Sequence, residues 1–241
     1  MEGKMKTLIL SDIHSNIYAL EAIWRAERDS DLIYCAGDLV DYGPYPQEVL
    51  QWIRAHDVPC VQGNHDAWVV QNYRTGSLLA ELPEEERAWV HHNAGLLTGE
   101  EIAYLEQLPR AITFAIDGIS YCMTHLYQDY QEIVSIHAYE HFLNEIVDSE
   151  RGAAIQRLLL GHTHRQAVRY LADDLLWLNP GSVSYRRRDD PDQTAHYAVI
   201  VDGRISLQRL AYDLTPLRAC VDNLSLKATE LDAGKRFFGP R

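Results

Sequence analysis

Lys6-Thr7-Leu8-Ile9-Leu10-Ser11-Asp12-Ile13-His14-Ser15-Asn16 decides how the whole chain is read. A short apolar run, long enough for one buried strand, stops abruptly at serine, aspartate and histidine. Asp12 and His14 are separated by one residue, so in an extended segment both side chains point the same way. Working outward, residues 17–28 read as a helix with Ile17, Leu20 and Trp24 on one face. Residues 32–35 read as a second strand ending at Gly37-Asp38, and 46–55 as a second helix with Pro46 near its start. Residues 58–61 read as a third strand ending at Gly63-Asn64-His65-Asp66. This β-α-β-α-β order predicts parallel strands with right-handed crossovers, and ligands bound beyond the carboxyl ends of the strands.

Residues 67–108 change character: they read as a helical insert beside the site, with Trp68, Tyr73, Trp89 and Tyr104 as its apolar bulk. Those aromatics are read as the insert's own small core rather than a stacking platform. Pro83 starts an acidic helix, and Glu84-Glu85-Glu86 suit the dipole of an exposed first turn. Two strands, 111–116 and 119–124, flank the turn dipeptide Asp117-Gly118. A helix is expected over 139–148 and a strand over 156–160, ending at Gly161-His162-Thr163-His164. Shorter strands are expected at 167–170, 175–178, 197–201 and 205–210, then a C-terminal helix and tail over 212–241. The whole chain, 1–241, reads as one domain with no internal repeat.

The formal net charge is −13, which repels a polyanion at long range and argues against long nucleic acid as a partner. A local cationic centre could still draw in a small phosphoester. Cys35, Cys60, Cys122 and Cys220 are scattered, without a C-x-x-C pair, and read as reduced, mostly buried thiols. Neither a signal peptide nor an apolar run of about 18 residues is present, so no membrane association and a cytoplasmic location are expected. Oligomerisation is left open, with the insert or the tail as a possible interface.

Five polar clusters each follow an apolar strand: Asp12-Ile13-His14, Gly37-Asp38, Gly63-Asn64-His65-Asp66, His125, and Gly161-His162-Thr163-His164. A lone histidine after a strand is usually structural. Five clusters at strand ends make a joint signal for a metal centre, and carboxylates with imidazoles suit Mn, Fe, Zn or Ni rather than Ca. The set resembles the calcineurin-like metallophosphoesterase superfamily: Ser11 to Asn16, Gly37-Asp38-Leu39-Val40-Asp41, Gly63 to Asp66 and Gly161 to His164 match its motifs in order. Gly43-Pro44 and Asn179-Pro180-Gly181-Ser182 look like its small prokaryotic phosphodiesterase-like branch.

The resemblance implies a four-layer αββα sandwich of two mixed sheets flanked by helices. It implies that Asp12, His14 and His164 hold one divalent transition-metal ion and Asn64, His125 and His162 a second, with Asp38 bridging. Manganese is the ion most expected to support activity in vitro. His65 resembles the non-ligand histidine that meets the substrate and protonates the leaving group. Asp66 is expected to orient His65 or its turn, and Asp41 either to support the site from behind the ligands or to form a turn. The implied reaction is hydrolysis of a phosphodiester or phosphomonoester, nucleotide-like esters among them, by in-line attack of a metal-bridging hydroxide.

Alternatives are a metal-dependent nuclease, a dinucleoside polyphosphate hydrolase, and a non-catalytic scaffold that keeps its metals. Two departures stand out. Tyr42 occupies the place of the arginine that grips phosphate in the protein phosphatases of the superfamily, and Leu126 follows His125 where glycine is common. Within Arg186-Arg187-Arg188, Arg188 is a candidate substrate contact; the competing reading is a solvated loop paired with Asp189 and Asp190.

Overall fold

The computed structural model describes residues 5–76, 82, 84–147, 155–184, 194–226 and 234. Strands β1 (Lys6–Leu10), β2 (Leu32–Cys35), β8 (Ala195–Val201) and β9 (Arg204–Leu210) form one sheet in the order β2-β1-β8-β9. Only the β1/β2 pair is parallel. Strands β3 (Ala111–Ile116), β4 (Ile119–Thr124), β5 (Arg157–Leu159), β6 (Ala167–Tyr170) and β7 (Leu176–Asn179) form the second, in the order β3-β4-β5-β7-β6. Both sheets are therefore mixed.

Side chains alternate across each strand with period two, and this alternation builds the layers. Ile9, Met123, Leu159, Leu178 and Ile200 meet in the core between the sheets. Their neighbours Leu8 and Leu10 face away, onto helices α1 (Ile17–Ala26) and α2 (Pro46–Ala55). On the far side, Cys122, Leu158 and Trp177 pack on α6 (Ile136–Ile146). The result is the expected helix–sheet–sheet–helix sandwich. Helices α3 (Asn64–Thr75), α4 (Glu84–Leu96) and α5 (Gly99–Gln107) extend the first helical layer, and α7 (Thr215–Asp222) packs with Trp89 and Tyr42. Cys35, Cys60 and Cys122 are free and buried, and Cys220 is free and partly exposed.

The expected strand at 58–61 is reduced to one parallel bridge, Cys60 to Cys35. Pro59 explains the loss: its carbonyl accepts from Cys35 N–H (3.0 Å), but it has no N–H with which to continue a ladder. The insert also begins earlier than 67. Asn64, His65 and Asp66 lie in the first turn of α3, because the Asp66 carboxylate reaches back to Gly63 N–H (2.9 Å) and opens the helix there. Helix α1 ends at Ala26 rather than 28, and α6 starts at Ile136 because Ser135 caps Ala138 N–H (3.2 Å).

Candidate metal centre

The ends of β1, β2, β4 and β5 and the start of α3 converge on one small volume. Asp12 and His14 follow β1, Asp38 follows β2, His125 follows β4, and His162 and His164 follow β5. All of these are buried or nearly so, which is costly for charged and polar groups unless they share partners. Five of the six stand in the left-handed region, with φ of +55° at Asp12, +48° at His14, +54° at Asp38, +64° at His162 and +56° at His164. Such backbone costs about 1–3 kcal/mol at a residue with a Cβ and persists only where the surroundings impose it.

The surroundings do impose it. Asp66 accepts from Asp38 N–H (3.0 Å), Leu39 N–H (2.9 Å), Val40 N–H (3.2 Å) and Gly63 N–H, so one carboxylate holds the whole Asp38 loop. Of the two expected roles of Asp66, its contacts, all to backbone, agree with holding the turn that carries His65, and the ring of His65 is bonded by Asp41 instead. Gly63 is required by close approach, since a Cβ there would collide with the Asp38 carboxylate. Asp12 is held from behind, where Ser182 Oγ–H donates to its carbonyl (2.8 Å) and His162 N–H to its Oδ1 (3.2 Å).

The donor atoms fall into two groups that share one residue. Asp12, His14, Asp38 and His164 make the first, and Asp38, His125 and His162 the second. In the first, His164 Nε2 lies 3.0 Å from Asp12 Oδ1 and 3.3 Å from His14 Nε2. In the second, His125 Nε2 lies 3.1 Å from Asp38 Oδ2, and Asn64 Oδ1 lies 3.0 Å from His125 Nε2 and 2.9 Å from His162 Nδ1. Donors bound to one ion at about 2.0–2.2 Å, roughly a right angle apart, are about 3 Å from each other. Both groups therefore fit a divalent ion in spacing and in chemistry. His125 Nδ1–H donates to the Ala36 carbonyl (2.7 Å), which leaves Nε2 facing the centre.

Charge inside the cluster is organised around Asp38. Burial works against the Asp38 anion, but the positive charge of His125 beside it holds its carboxyl well below the usual range. Burial pulls His125 down, and Asp38 outweighs it, raising the imidazole to about 10. Burial brings His14 down to about 3, and burial with the charge of His125 brings His162 to about 4. Those two rings are thus neutral, as ligands must be.

His65 stands beside the donors rather than among them. Its backbone N–H donates to Asp38 Oδ1 (2.9 Å), and its ring Nδ1–H to Asp41 Oδ2 (2.6 Å). Burial lowers its pKa, but Asp38 and Asp41 outweigh this and raise it to about 9. The Tyr42 ring lies 4.8 Å from that of His65 and belongs to an apolar cluster with Trp89 and Leu217. Trp68 packs edge-on to His65 at 4.5 Å. Arg188 lies outside the described residues.

Sequence reading missed Asn93, which is fully buried in the last turn of α4. Its Oδ1 accepts from Ser15 Oγ–H (2.7 Å) and Asp41 N–H (3.1 Å), while its Nδ2 donates to Gly43 O (3.1 Å) and Trp89 O (3.2 Å). An asparagine inside a helical pattern, where it is a poor helix former, was the signal available.

A family model for the calcineurin-like phosphoesterase superfamily domain matches residues 5–202. An uncharacterised protein of Methanocaldococcus jannaschii is 28% identical over 229 residues, which cover 88% of this chain and 89% of that protein. A metallophosphoesterase from Sphaerobacter thermophilus has a similar structure, with a TM-score of 0.72 at 24% identity over 98% of this chain and 100% of the other. A hypothetical protein from Pyrococcus horikoshii OT3 gives 0.77 at 17% identity over 98% and 99%. At these identities the two structures bear on the fold alone.

Proposed function

This chain belongs to the calcineurin-like phosphoesterase superfamily, and from that premise we propose that it hydrolyses a small phosphoester, a diester in preference to a monoester, at a two-ion centre. The observation that carries the reading is the pair of donor groups joined only through Asp38. Asp12, His14 and His164 would hold one divalent ion, Asn64, His125 and His162 the other, with manganese the first to test. When bound, such ions supply Lewis acidity at the phosphoryl oxygens and an acidified water as nucleophile.

The chain's own groups do the rest. Asp38 faces both donor groups and sets their separation. Asp41 accepts a hydrogen bond from His65 Nδ1–H and so leaves Nε2 on the side of the ring away from itself. Bonded to the Asp41 carboxylate, His65 is placed to hold a proton and deliver it to a departing alkoxide. Asp66 and Asn93 keep the Asp38 and Asp41 turns from relaxing. The net charge of −13 favours a small substrate over a polyanion. No helix among the described residues is long and apolar enough to cross a membrane.

The test is hydrolysis of bis(p-nitrophenyl) phosphate beside p-nitrophenyl phosphate by metal-stripped protein with Mn²⁺ restored. Turnover that requires Mn²⁺ and vanishes in Asp38→Ala is expected. Metal-dependent turnover that survives Asp38→Ala would sink the reading.

A further inference from the structure

The donor groups account for the phosphate of a substrate but not for the organic group attached to it. Next to them, under the loop between β4 and α6, lies a cavity of about 140 Å³. Leu126, Leu160 and Trp177 give it an apolar lining, Tyr127 and Tyr130 an aromatic one, and His162 joins it to the metal centre. We infer that this cavity seats a planar ring carried by the phosphoester, so that the substrate class is aryl- or nucleobase-bearing esters rather than sugar phosphates or phosphoproteins. The inference rests on the phosphoester reading above and names the substrate class of that same site.

Four observations support it. First, His162 belongs to both the second donor group and the cavity wall, so an ester held by the centre has its substituent at the cavity mouth. Second, the size suits one ring: an apolar cavity of about 150 Å³ is known to take up benzene. Third, Tyr130 is 68% exposed, yet its ring lies 4.5 Å from that of His162, tilted by 33°. Its φ of +49° is one that a residue with a Cβ adopts at a cost, so the ring is set there by its loop. An exposed aromatic face beside a phosphate site is a stacking surface for another flat ring. Fourth, the apolar wall is braced, and the charged residues of the lining are Glu132 and Arg165. Trp177 Nε1–H donates to Ile133 O (2.9 Å), tying the loop to the sheet, and Tyr127 packs edge-on to Phe142. Glu132, the carboxylate of the lining, is held by Arg169 at 2.8 Å. Of the polar lining, Thr163 and Asn179 are bonded to each other (3.1 Å), and the hydroxyls of a sugar would lose water against Leu126, Leu160 and Trp177.

The experiment is calorimetric binding of phenyl phosphate and of methyl phosphate to the Mn²⁺-loaded protein, which reads affinity without turnover. Phenyl phosphate is expected to bind about tenfold more tightly or better, as stacking on an aromatic face implies. Tyr130→Ala, a change at an exposed side chain, should bring the ratio close to one, and Leu126→Asp should do the same. Equal affinity of the wild-type protein for both ligands overturns the ring seat while leaving the phosphoester reading intact. A ratio that survives both substitutions also overturns it. If neither phosphate binds the loaded protein, the phosphoester reading fails first and the ring seat with it.

Discussion

His65 is held by two aspartates that act differently, Asp41 by a hydrogen bond to the ring and Asp38 by its charge and a bond to the backbone. Asp41→Asn removes one of the anions that keep the imidazole protonated. The sign follows: a histidine raised to about 9 carries its proton below that pH, so losing the support moves deprotonation downward. The basic limb of the kcat/KM profile should shift toward acid by about one unit, the effect expected of one neighbouring charge. A limb that does not move would remove Asp41 from the proton's control. His65→Ala should keep both ions, as counted by metal analysis, and slow turnover by about 10²–10⁴. Most of these residues were legible in the sequence, because Asp12, His14, Asp38, Asn64, His162 and His164 come in short motifs after apolar strands, while His125, which stands alone after its strand, was legible through the family resemblance. Asn93 and Tyr130 were not. Each sits alone in its segment and matters through a neighbour brought close only by folding.

At the level of elements, apolar runs placed β1, β2 and the β3–β4 hairpin, whose turn dipeptide Asp117-Gly118 was visible. The segment at 58–61 misled because its composition is that of a strand, while Pro59 prevents the ladder. The start of α3 was hidden for a related reason: a motif that ends a strand-like run also opens a helix, and only the backward reach of Asp66 decides between them. Asp66→Ala should strand buried N–H groups of Gly63, Asp38, Leu39 and Val40. Each unpaired group costs about 1–3 kcal/mol, so a loss of at least about 3 kcal/mol in urea unfolding is expected, with weakened metal binding. Unchanged stability would mean that the loop holds itself. Asn93→Ala should cost about 2–3 kcal/mol by the same reasoning and lower kcat/KM, since it releases Asp41 N–H and Ser15 Oγ. An activity loss without a stability loss would contradict that account.

For the whole molecule, the two-sheet arrangement came from family resemblance and not from periodicity. Alternation shows that a strand has two faces but not which sheet lies across from either. The assembled centre makes stability and metal interdependent. His125, raised to about 10, stabilises the metal-free fold fully below its unfolded pKa near 6.5. That contribution is lost as pH climbs through about 10. His14 and His162 act the other way: lowered to about 3 and 4, they withdraw stability as pH falls below about 6.5. Binding an ion at His125 must displace its proton. Metal affinity should therefore rise about tenfold or more per pH unit between 7 and 9, with at least one proton released per molecule in calorimetry across buffers of different ionisation heat. Proton release near zero would refute that charge state.

His14 and His164 touch in the first donor group although 150 positions separate them along the chain. Neither donor group is complete until the later segment has been synthesised and folded onto the earlier one. Metal retention would therefore serve as a proofreading mark of an intact polypeptide: a chain stopped or cleaved ahead of His162 keeps Asp12, His14 and Asp38 but loses donors from both groups.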